Sequence, residues 1–253
     1  MNSNRIVTML AACTLAAMAP SAFALSTWNF STSGGCAQSG SGFGNSWSCN
    51  ATGPGPTATA TAWSTTGSGA SFAAANAAQY GTSGFGVRNT VETLSAASPD
   101  HSMDNSGQTD LLSLKFASSV KLDSLKLGWY SNDSDVSVLA YTSASPPPSS
   151  IAGKTVANLL SSGWSLVANL SNVGSSSPTF NAGGIIGSSW WLISAYNSGY
   201  NGSAALDGSS DYVKLLSVSN STPGKVPEPG SLALVGLATC AALSLRRRKT
   251  QTA

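Results

Sequence analysis

The sequence predicts an all-β fold, an antiparallel β-sandwich of possible jelly-roll kind. Two observations carry this reading. Apolar and polar residues alternate with a period of two along several short runs, as they do in strands with one buried face. Between the runs lie clusters of Gly, Pro, Ser, Asn and Asp, the residues that make turns. No internal repeat at a fixed period is visible.

In chain order, Trp28 and Phe30 alternate with polar neighbours and read as the first strand. Cys36 and Cys49 bracket a Gly-rich loop. An exported chain meets an oxidising compartment, so a disulfide between them is expected, worth about 3 kcal/mol for a loop of this size. Metal ligation by two thiols with no neighbouring His is the poorer alternative. Gly53-Pro54-Gly55-Pro56 is a turn, and Thr57 to Trp63 places a β-branched Thr at every second position, a strand pattern. Ser71 to Tyr80 is Ala-rich and is left open between a short helix and a strand edge. Gly84 to Glu92 reads as extended.

Asp100 to Gly107 is a turn cluster, after which the pattern is clearest. Leu112, Leu114 and Phe116 share one face of a strand. Val120 to Trp129 alternates again, and Val136 to Tyr141 follows the turn Asn132–Asp135. The short turns predict that these three strands form a meander. Pro146-Pro147-Pro148 breaks the pattern, and Ile151 to Leu160 has room for one or two helical turns. Trp164 to Leu170, Ser189 to Tyr196 and Asp211 to Val218 read as the closing strands, with a polar linker at 219–225.

Both ends of the chain read as addresses. Asn4-Arg5 gives a basic start, Ile6 to Ala19 is apolar, and Ala22-Phe23-Ala24 is a signal-peptidase site. The signal peptide is thus expected at 1–24 and the ectodomain at 25–218. At the other end, Pro227 and Pro229 flank Glu228 and cannot continue a helix or a ladder. Leu232 to Leu245 carries no charge and reads as a transmembrane helix. Arg246, Arg247 and Arg248 with Lys249 mark the cytoplasmic side. Without the two targeting segments the chain keeps seven basic and nine acidic residues, so its net charge is −2 rather than the whole chain's +2. No basic patch exists, which argues against a nucleic-acid partner.

The tail at 226–250 resembles the PEP-CTERM sorting signal of Gram-negative bacteria: a Pro-Glu-Pro motif, a short transmembrane helix and an Arg-rich end, in that order. The resemblance implies recognition by exosortase, a membrane-embedded transpeptidase-like enzyme, with cleavage near the motif. It implies passage through the inner membrane, a transiently cytoplasmic C-terminus, and delivery to the cell surface or extracellular matrix. The stretch from Asp100 to Val218 is similar to a group of exosortase-dependent surface proteins with no established activity. The segments that carry this are Met103-Asp104-Asn105, Asp110-Leu111-Leu112, Leu127-Gly128-Trp129, Asn132 to Asp135 with Val138 to Tyr141, and Asp211 to Leu216.

Chemistry is sparse. His101 is the only histidine, sits among turn residues, and has no G-x-S-x-G serine to serve, so an enzyme is not expected. Glu92 is the only mature-region glutamate, which leaves a glycosidase pair to the turn aspartates. No cofactor is expected apart from calcium. Asp100, Asp104 and Asp110, with Asn105, offer hard oxygen ligands in one turn, and Asn132, Asp133 and Asp135 offer them in another. Asx turns account for the same residues. Trp129, Trp190, Trp191, Tyr196 and Tyr200 are candidates for stacking on sugars, although adjacent Trp190 and Trp191 must face opposite sides of a strand. The expected role is that of a noncatalytic surface or matrix protein associated with exopolysaccharide or biofilm. A carbohydrate-binding module is the first alternative and a secreted hydrolase the second.

Overall fold

Period-two alternation leads the chain into fifteen strands and one short helix among the described residues of a computed structural model. The described residues are 25–66, 70–92, 99, 101–147, 149–200 and 206–220. In order, the elements are β1 (Ser26–Asn29), β2 (Cys36–Ser39), β3 (Ser46–Cys49), β4 (Ala51–Thr52), β5 (Ala58–Thr65), β6 (Phe72–Ala74), β7 (Asn76–Gln79), β8 (Phe85–Arg88), β9 (Met103–Asp104), β10 (Asp110–Val120), β11 (Ser124–Asn132), β12 (Val136–Tyr141), α1 (Val156–Ser161), β13 (Trp164–Leu170), β14 (Ser188–Ala195) and β15 (Asp211–Asn220). The Ala-rich stretch left open by its sequence is therefore two strands, β6 and β7. The last strand runs to Asn220, two residues into the segment read as linker.

The strands make two antiparallel sheets. In the first, β15 is the spine. β11 pairs along one side of it, from Ser124 opposite Ser219 to Asn132 opposite Asp211. Three short strands share the other side: β1 against residues 217–220, β8 at Leu215, and β9 at Val213 and Tyr212. In the second sheet the order is β13-β12-β14-β10-β5-β3-β2, and β6 continues the β3 side of β5.

The expected meander does not form. β10 and β12 belong to the second sheet, whereas β11 belongs to the first. The chain crosses between sheets at Lys121–Asp123 and returns at Asp133–Asp135. Alternation specifies which side of a strand is buried and says nothing about which strand lies beside it. Leu122 anchors the first crossing by complete burial, and the Asp123 N–H bonds the Ser219 carbonyl.

Between the sheets lies a core of Trp28, Phe30, Phe85, Val87, Leu112, Leu114, Phe116, Val138, Trp191, Ile193, Val213 and Leu215, among others. Trp28 meets Phe116 edge to face, with ring centres 4.8 Å apart. The alanines of β5 (Ala58, Ala60, Ala62) bury completely, which leaves room for these large rings. A second core lies on the outer face of the second sheet. There Leu111, Leu139, Tyr141, Trp190 and Leu192 pack beneath Ile151, Leu159, Trp164 and Tyr200. Trp190 and Trp191 do point to opposite faces, and both faces are covered.

The covering segment includes α1, which starts on a capping box. The Thr155 hydroxyl accepts from the Asn158 N–H, and the Asn158 side chain accepts from the Thr155 N–H. Cys36 and Cys49 stand opposite each other across β2 and β3 and are bonded. Among the described residues no helix is long and apolar enough to cross a membrane. The helix expected at Leu232 to Leu245 lies outside them.

Trp191→Ala should lower the unfolding free energy by about 3–5 kcal/mol, since it empties the centre of the inter-sheet core. Opening the Cys36–Cys49 bond should cost about 3 kcal/mol or less, because it closes a short loop at a sheet edge. Urea unfolding of the two variants side by side measures both.

Candidate metal centre

The candidate site grows from the second crossover. Asn132 ends β11 with φ at +61°, a left-handed conformation that Asn tolerates better than most residues. That turn lifts Asp133, Ser134 and Asp135 from the first sheet toward the second. The antiparallel register places Asp211, the first residue of β15, opposite Asn132. Asp133 also bridges Asp211 directly. Backbone pairing thus brings two aspartates of a turn to an aspartate 76 residues away.

All three are buried, and one carboxylate oxygen from each lies within 4.8 Å of the others. Their orientation is fixed by hydrogen bonds. The Asp135 N–H donates to Asp211 Oδ1 at 2.6 Å. Asn105 clamps Asp211: its Nδ2 donates to Asp211 Oδ2 at 2.7 Å, and its Oδ1 accepts the Asp211 N–H. The same Nδ2 also donates to the Tyr196 carbonyl. The Asn172 N–H donates to Asp135 Oδ1 at 2.7 Å, whereas Asp135 Oδ2 is buried with no hydrogen-bond partner among the described residues. The Ser134 N–H donates to Asp133 Oδ1. Exposed Asp207 approaches Asp133 and is held low by the N–H and hydroxyl of Ser209.

The electrostatics follow from burial without a cation. Burial, and then the charges of Asp135 and Asp133, push Asp211 up to about 7 against the opposing Asp135 N–H. Burial also raises Asp135, with the Asp133 and Asp207 charges adding to it. Such an arrangement favours either a shared proton or a bound cation, and its donors are all hard oxygens.

Of the ligands read from the first turn, Asp104 and Asp110 are both buried but do not join this trio. Asp104 Oδ1 accepts the Ser106 N–H in an Asx turn. Asp110 buries both carboxylate oxygens with no well-formed hydrogen bond among the described residues, and burial, followed by the Asp104 charge, holds its carboxyl well above the usual range against the nearby Ser64 and Asn89 side chains. Asp100 lies outside the described residues, as do Ala22, Ala24, Pro227, Glu228, Pro229, Arg246, Arg247 and Arg248. Asp211 is the residue the sequence reading missed. It looked like an ordinary strand start, and only the pairing of β15 with β11 reveals its neighbours.

The stacking candidates are covered. Trp190, Trp191, Tyr196 and Tyr200 are buried. Trp129 is half-buried, and the Lys214 ammonium lies 3.8 Å from the centre of its ring. His101 adopts φ of +61°, its N–H donates to Glu92 Oε1, and its ring lies 6.2 Å from Tyr80.

Residues 225–249 match the PEP-CTERM protein-sorting motif. That motif is the recognition signal of exosortase and implies exosortase-dependent sorting of a surface protein. No curated protein and no solved structure matches the chain.

Asp110 supplies a pH test. Its folded-state value is raised, so the folded chain holds its proton more tightly than the unfolded chain, where the value is about 3.9. Its contribution to stability is complete below about pH 4 and is lost as pH rises through the folded-state value. Asp110→Asn should therefore melt above the parent at pH 8, with the gap closing toward pH 4. Thermal unfolding across that range measures the difference.

Proposed function

We propose that this chain is an exported surface or extracellular-matrix protein whose β ectodomain works by association rather than catalysis, in contact with exopolysaccharide or biofilm. The sorting motif at 225–249 is the observation that carries the reading. A signal peptide at 1–24 would start export through the inner membrane. The apolar run Leu232–Leu245 and Arg246, Arg247 and Arg248 would halt it, leaving the C-terminus briefly cytoplasmic. Exosortase would then cleave near Pro227–Pro229 and release the ectodomain to the surface.

The ectodomain's character supports a structural role. Its surface is Ser, Thr, Asn and Gly with few charges, and both faces of one sheet are spent on packing. The aromatic rings that could have formed a flat sugar-stacking row are mostly buried. Association with polysaccharide would then rest on polar side chains and a fixed shape rather than on stacked rings.

In a host lacking exosortase, the chain should remain in the inner-membrane fraction at the mass of the signal-cleaved, tail-bearing form. In the parent host it should be shorter and appear outside. Mass spectrometry of both fractions reads the difference, and identical processing in the two hosts would sink the proposal. Glu228→Ala should reproduce the exosortase-deficient pattern. For the second half of the reading, the processed chain should cosediment with the host's extracellular polysaccharide. Recovery solely in the soluble fraction would remove that association while leaving the sorting intact.

A further inference from the structure

The geometry points to a Ca2+ site formed by Asp133, Asp135 and Asp211, in which the ion locks the β11–β12 crossover to the start of β15. An acidic cluster alone would not establish this. The second observation is Asp135: it is only 1% exposed, and although the Ser171 hydroxyl approaches the carboxylate, its Oδ2 has no hydrogen-bond partner among the described residues. A buried carboxylate oxygen left bare costs free energy unless something positive meets it. Here that oxygen belongs to one of three carboxylates whose oxygens converge within 4.8 Å.

The spacing suits calcium. At Ca–O distances of about 2.3–2.6 Å, two opposed ligands of one ion stand about 4.6–5.2 Å apart. Three oxygens within 4.8 Å of one another leave a central point no more than about 2.8 Å from each, so a shift of a few tenths of an ångström brings all three into contact with one ion. Each partner keeps a free lone pair for it: the hydrogen bonds to Asp211 Oδ1 and Oδ2 and to Asp133 Oδ1 each use one acceptor site, and Asp135 Oδ2 uses none. Asp207, exposed and close to Asp133, is placed to supply a fourth carboxylate from the rim.

The donor set excludes softer metals from preference. The cluster contains no imidazole or thiolate, Cys36 and Cys49 are bonded to each other, and the ligands are carboxylates. Magnesium demands near-ideal octahedral geometry and gives up its waters reluctantly, whereas calcium accepts irregular oxygen sets. An exported domain meets calcium at concentrations that suit weak modules, so an affinity of about 10⁻⁴–10⁻³ M is expected. Structurally, the ion would tie together the three segments that meet here: the crossover, the first residue of the spine strand, and, through Asn105, the loop after β9.

The test uses the full-length chain in detergent micelles, stripped with EGTA and titrated with CaCl2. Calorimetry should find one ion per chain. At a hundredfold excess over the dissociation constant, Tm should rise by about 5–10 °C. Asp135→Asn and Asp211→Asn should each weaken binding at least tenfold, and Asp207→Asn should weaken it a fewfold. In EGTA Asp135→Asn should melt no lower than the parent, because it removes a repelling buried charge while its amide oxygen can keep the bond from the Asn172 N–H. That crossing separates loss of a ligand from loss of the fold. Asp110→Asn, outside the trio, should bind calcium like the parent. Tb3+ should also luminesce when excited through the tyrosines beside the cluster, Tyr196 and Tyr212, and calcium should quench that signal by displacement. The site is overturned by an unchanged Tm in calcium, by full affinity in Asp135→Asn, by a Tb3+ signal that calcium does not displace, or by a magnesium response equal to that of calcium.

Discussion

Strand β15 is the constraint on which the rest of the fold depends. It pairs with β11, β1, β8 and β9, so the first sheet is assembled around it. Its contacts are extremely non-local: the Ser26 N–H bonds the Asn220 side chain across 194 residues. Closing loops of that size costs entropy before any contact repays it. The strand that assembles the first sheet ends at Asn220, shortly before the sorting motif begins at 225. Any premature loss of that end would remove the spine and strand four partners.

The second sheet solves a different problem. A sandwich sheet ordinarily shows one face to water, and its strands then alternate cleanly. β12 is buried at every residue because α1 and its flanking loops cover the outer face. The tryptophan pair of β14 fits this arrangement, with Trp191 between the sheets and Trp190 beneath Trp164 at 5.5 Å. The aromatic content that suggested a sugar-stacking surface is thus absorbed by two cores. Lys115 lies over the Trp190 ring and Lys214 over that of Trp129, so scarce cations are also spent on the aromatics.

The aspartates divide into two kinds. Some do what turn residues usually do, as Asp104 does with the Ser106 N–H and Asp207 with the Ser209 N–H. Others are buried where turn-making gives no reason for burial. Asp133, Asp135 and Asp211 are held by a crossover and a strand start, and among the described residues their mutual repulsion is retained rather than relieved by a nearby Lys or Arg. Burial of like charges in a fixed frame is what separates a ligand set from an Asx turn.

The sequence specified the strands, because period two is a local property: Leu112, Leu114 and Phe116 had to share a face, as did the alternating residues of β5. It also determined the sorting motif, which is contiguous and read by its own order of residues. Where pattern was local but pairing was not, it failed. The short turns after β10 and β11 suggested a meander, and they are crossings between sheets. The first acidic turn drew attention because its members are close in sequence, whereas the converging trio includes Asp211, far along the chain. Which strands lie side by side and which carboxylates meet emerges in the folded chain alone. Strand pairing is set by long-range packing of two faces, and no short stretch of sequence contains both partners.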